Sequence, residues 1–75
     1  MKSITFENKE GYTQIINPIW IEYAGIKQEM AQNKPYWSVR VHIIGKVEYH
    51  SRPFRDENEA KSFYDYIVEC IESMK

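Results

Sequence analysis

The stretch YWSVRVHIIGKVEYHSRP, residues 36–53, decides the fold. It reads as a strand, a tight turn and a second strand. In the first strand Trp37, Val39, Val41 and Ile43 alternate with Ser38, Arg40 and His42, the period of two that sends alternate side chains to opposite faces. Gly45-Lys46 suits a two-residue hairpin loop, with glycine at the first central position as a type II′ turn requires. That loop pairs Val41 with His50 and Ile43 with Glu48, so polar residues fall on the apolar face. Slipped by one, Val41 meets Tyr49, Ile43 meets Val47 and Val39 meets Ser51, while His42 meets Glu48 and Arg40 meets His50. Because a one-residue slip exchanges the two faces of a strand, burial predicts the second register. It is closed by the three-residue loop Ile44-Gly45-Lys46 or by a bulge near Ile44. Pro53 then ends the ladder or sits where no donor is needed.

Outward from the hairpin, the C-terminal stretch RDENEAKSFYDYIVECIESMK predicts a helix. Asp56 is the N-cap and Glu59 follows three residues later, a capping box in its Asp form. Acids in the first turn suit the helix dipole. Ala60, Phe63, Tyr64, Ile67, Ile71 and Met74 recur at helical spacing and mark one apolar stripe that must cover something. Tyr66 and Cys70 fall at its flank.

Before the hairpin, SITF and YTQII flank ENKEG, a turn closed by Gly11. NPIWIEYAGIKQEM admits two readings. As a helix, Asn17 caps it and Pro18 takes the first position. As a strand, Ile19, Ile21 and Tyr23 share a face. Gly25 costs a helix interior about 1 kcal/mol, and the β-branched and aromatic run from Ile19 to Tyr23 suits a pleated surface, which favours the strand. AQNKP is then the turn into Tyr36.

These elements predict an α+β fold, a small antiparallel β-meander of about five strands with one C-terminal helix packed on one face. A tandem ββα arrangement is the alternative. The chain has 75 residues and forms a single domain, 1–75. It contains no leucine and eleven aromatics, a composition that fits a sheet under a single helix. The layout points to no family.

Composition bounds function further. A chain this short buries only about 60–65% of its unfolded surface and commonly needs a staple. Cys70 is the single cysteine, so no internal disulfide can form. Self-association as a homodimer is the remaining common remedy. The opening MKSITFENKEG has no apolar core of a leader and no cleavage site. No run approaches the ~18 apolar residues of a membrane span, so a cytoplasmic protein with no membrane role is expected.

The net charge of −1 is unevenly spread. Lys34, Arg40, Lys46, Arg52 and Arg55 face a single acid, Glu48, across residues 34–55, whereas residues 56–75 hold six acids and two lysines. The candidate binding residues are therefore Tyr36, Arg40, His42, Lys46, Glu48, His50, Arg52 and Arg55 of the hairpin. Trp20 adds an aromatic anchor.

In the expected register His42, Glu48 and His50 share the exposed face with Arg40 and Arg52. Two histidines and one carboxylate fall short of a zinc ligand set, and the adjacent arginines oppose a cation, so no metal site and no cofactor is expected. No nucleophile is paired with a base, and no phosphate-binding glycine loop is present, so no catalytic residue is named and the protein is read as no enzyme. The expectation is a small protein-binding module that self-associates. The alternative is a nucleic-acid-binding accessory protein using the basic hairpin, with stacking aromatics and phosphate-tracking arginines. A pI near 6.1 counts against that alternative.

Overall fold

Period-two alternation, turn residues and one amphipathic stripe build five antiparallel strands and one helix in the computed structural model, which describes residues 3–7, 12–47 and 49–73. In chain order these are β1 (Ile4–Glu7), β2 (Thr13–Ile16), a single 3-10 turn (Pro18–Trp20), β3 (Ile21–Ala31), β4 (Lys34–Ile43), β5 (Tyr49–Phe54) and α1 (Glu57–Ser73). The strands form two ladders, β1-β2 and β3-β4-β5. The fold is α+β, with the helix against one face of the three-stranded sheet.

Both readings of residues 17–31 left a mark. Asn17 does cap, its Oδ1 accepting from the Ile19 amide at 3.1 Å, and Pro18 opens the turn. One turn is all that forms, because Ile21 is already extended and the β-branched run continues as a strand. The strand then runs to Ala31. Gln32 and Asn33 both have positive φ, 51° and 64°, the signature of a type I′ turn. That turn sets Ala31 opposite Lys34 and carries the register down to Gly25 opposite Arg40. A bulge between Ile21 and Tyr23 follows.

The β4–β5 register departs from the burial expectation. Val41 faces His50, Val39 faces Arg52, and Tyr49 faces His42. These are the pairs that a Gly45-Lys46 loop implies, although the turn observed is centred one residue earlier. The Ile43 carbonyl accepts from the Lys46 amide at 3.1 Å, and Gly45, at φ 80°, takes the left-handed position within it. The expected three-residue loop is therefore absent. Burial tolerates the outcome because β5 lies at the edge of its ladder. The His50 ring lies 5.9 Å from that of Phe6. The Arg52 guanidinium lies 5.0 Å over Phe54 and 4.9 Å over Phe63, so its stem covers apolar surface while its charge reaches the rim.

Val39 and Val41 are fully buried beneath α1, together with Ile4, Ala60, Ile67 and Cys70. Cys70 thus belongs to the core, not to its flank. Phe63, Tyr64 and Ile71 pack against this cluster. Asp56 does cap the helix, its Oδ1 accepting from the Asn58 amide at 3.0 Å, one residue before the amide that a capping box with Glu59 would use. The β1-β2 hairpin brings Ile4, Phe6 and Ile16 to the same core. Its turn at Gly11, and Met74 on the helix stripe, lie outside the described residues.

Two substitutions probe this packing. Ile67→Ala is expected to lower the unfolding free energy by about 2–5 kcal/mol in a urea titration; a loss below about 1 kcal/mol would show that the stripe is not the core face. Gly45→Ala is expected to cost about 1–2 kcal/mol through its left-handed backbone. An unchanged melt would mean that a side chain fits there without strain.

Candidate binding surface

With α1 on one side of the sheet, its other face is open, and the strand pairing decides what stands there. From β4 it carries Tyr36, Ser38, Arg40 and His42, from β5 Tyr49, and from β3 Tyr23 and Glu29. Tyr23 stacks on His42 with ring centroids 4.9 Å apart and planes within 8°. The Arg40 guanidinium sits 4.8 Å over the Tyr49 ring and donates to Glu29 Oε1 at 2.8 Å. His42 Nδ1 lies 3.4 Å from Glu22 Oε2. Its geometry makes no hydrogen bond, as is also true of the buried Arg40 Nε.

Glu29 is the hinge of this face. It holds Arg40, and it accepts from the Tyr36 hydroxyl, which pushes the Tyr36 phenol above its ordinary value; partial desolvation adds to the rise and Arg40 opposes it. The guanidinium is therefore paired in place with a carboxylate through one of its nitrogens.

The sequence candidates divide among three places. Tyr36, Arg40 and His42 share the open face. His50 and Arg52 do not; the observed register turns them to the helix side, against Phe6, Phe54 and Phe63. The expected shared site of His42, His50, Arg40 and Arg52 is thereby split across the sheet, and the two histidines cannot act on one ligand. Lys46 lies in the exposed turn, and Arg55 lies past the end of β5, lining a groove with Tyr36 and Pro53. Glu48 lies outside the described residues. Among the described residues, no group of three or more His, Cys, Asp and Glu side chains is placed to hold a metal ion, and no helix is long and apolar enough to cross a membrane.

Sequence reasoning missed Tyr23 and Glu29. The signal was present in AQNKP: taking Gln32-Asn33 as a two-residue loop sets Glu29 opposite Tyr36.

Trp20 stands apart, at the end of the sheet. Its carbonyl accepts from the Ile44 amide at 2.9 Å, which ties the 3-10 turn to the β4–β5 turn. Ile19, Trp20 and Ile44 are more than half exposed, at 56%, 58% and 53%, and Val47 is 97% exposed. Ile19 and Trp20 on the 3-10 turn and Ile44 on the β4–β5 turn are thus exposed on two segments joined by one main-chain bond, and Val47 follows Ile44 by three residues.

The chain matches no family model, no curated protein and no solved structure.

The Tyr36 shift has a sign that can be measured. A raised phenol pKa means that folding favours the protonated form. The associated stability is complete below about pH 10, the ordinary tyrosine value, and is lost as pH rises through the raised one. In carbon-13 tyrosine spectra, Tyr36 should titrate above a free tyrosine. Glu29→Gln should bring it down, and an unmoved midpoint would remove Glu29 as the cause.

Proposed function

We propose that this protein is a non-enzymatic protein-binding module that docks through the apolar end formed by Ile19, Trp20, Ile44 and Val47. The observation that carries this reading is the exposure of these side chains on two turns that the Ile44–Trp20 main-chain bond joins. Singly exposed apolar residues are ordinary, whereas a contiguous group would mark a contact surface. Trp20, whose carbonyl makes that link, is of the residue type that most often dominates binding energy. The division of the basic hairpin supports the same reading: Arg40 is paired with Glu29, while Arg52 lies on the other side of the sheet over two phenyl rings. The lone cysteine supports a cytoplasmic setting, and its full burial leaves it a small hydrophobe and not a nucleophile.

One observation favours the alternative. Tyr23 and Tyr49 are more than half exposed on the open face, and with His42 between them they make a row on which unpaired bases can stack. The two readings separate in one experiment. Immobilised wild type and Trp20→Ser are incubated with native lysate, with and without nuclease, and labelled oligonucleotides are titrated in parallel. Protein binding predicts nuclease-resistant capture that Trp20→Ser abolishes, with oligonucleotide affinity no tighter than about 10⁻⁴–10⁻⁶ M. Submicromolar oligonucleotide binding, lost on Tyr49→Ala and unaffected at Trp20, would replace it with the alternative.

A further inference from the structure

We propose that β3 pairs with β3 of a second copy, antiparallel across a two-fold axis at Gln28, so that two three-stranded sheets become one of six strands. The proposal concerns a different surface from the Trp20 end, and either can fail without the other.

The edge is open. Among the described residues β3 is hydrogen-bonded to β4 alone. The two-residue turn at Gln32-Asn33 makes Ala31 and Lys34 a narrow, hydrogen-bonded pair. Alternate residues back along β3 therefore direct their main-chain groups at β4, and Met30, Gln28 and Ile26 direct theirs outward. The strand spans eleven residues without a proline, so this is a long row of unpaired donors and acceptors, the feature that recruits another strand.

Charge selects the occupant and the register. A two-fold axis at Lys27 or at Glu29 sets like charges opposite each other. An axis at Ile26 sets Glu22 against Met30. An axis at Gln28 sets Lys27 against Glu29 of the partner, and Glu29 against the partner's Lys27, two opposite-charge pairs from one symmetry element. The same axis sets Ile26 against Met30 of the partner twice. These are exposed apolar side chains, at 36% and 63%, on the face that carries α1. The pairing of Lys27 with Glu29 falls at the wide, non-hydrogen-bonded positions, where side chains approach most closely. Glu29 can accept a lysine while holding Arg40, because an ionised carboxylate has about four acceptor sites. A self-complementary patch of this kind is what an isologous dimer requires.

The test exchanges the charges. Sedimentation velocity at micromolar concentration should show wild type as a dimer. K27E sets carboxylates against Glu29 of the partner, and E29K sets ammonium groups against Lys27; each alone should self-associate roughly tenfold more weakly or worse. Mixed in equal amounts, the two should form a heterodimer, because every cross-strand pair is again of opposite charge. Gln28→Pro removes only an outward amide and should give a folded monomer by circular dichroism, so the proposal remains testable if E29K fails to fold. A wild type that stays monomeric overturns it. So does a dimer that survives K27E and Gln28→Pro, or a mixture of folded variants that remains monomeric.

Discussion

The pairing of Val41 with His50 and of His42 with Tyr49 sets the phase of β5, and most of what the surface offers follows from that phase. With Gly45 in the left-handed position, the strand returns so that His50, Arg52 and Phe54 take the helix side and Tyr49 takes the open side. A return shifted by one residue would put Tyr49 in the core and gather both histidines and both arginines on the outside. The pairing can depart from the side-chain burial pattern here because β5 is an edge. Residues at an edge need only lie along apolar surface, and Arg52 does so over two phenyl rings.

Much of the framework was legible because its signals are local. The cap at Asp56, the helical spacing of Ala60 to Ile71 and the alternation of Trp37 to Ile43 each specify an element without reference to the rest of the chain. The turn at Gln32-Asn33 was also local, although its consequence for Glu29 depends on counting back along a strand. The register of the second hairpin was not legible from apolarity. His50 and Arg52 look like solvent residues in sequence, and only the aromatic partners supplied by β1 and α1, distant in the chain, make their inward placement stable. The candidate site was half readable for the same reason. Tyr36, Arg40 and His42 stayed together because they share one strand, whereas His50 and Arg52 were assigned through a register that the observed pairing replaces.

The two arginines illustrate how position alone changes the use of a residue. Both sit on the hairpin, and composition marks both as free cations. One is held by a carboxylate at 2.8 Å, and the other is spread over rings at the margin of the core. Arg52 keeps its charge at the rim, whereas that of Arg40 is paired with a carboxylate, so the basic residues of 34–55 do not present one common positive face.

The Tyr66 hydroxyl donates to the Ser3 carbonyl at 2.9 Å, across 63 positions of chain, and Phe6 meets Phe63 with ring centroids 5.5 Å apart. The first strand is thus held by a helix far along the chain, as well as by His50 of β5. The β3–β4 hairpin, by contrast, closes over the two residues of its own turn. The fold therefore joins its most local pairing to its most distant one, and the entropy of closing so long a loop is offset only where β1 meets α1 and the sheet together.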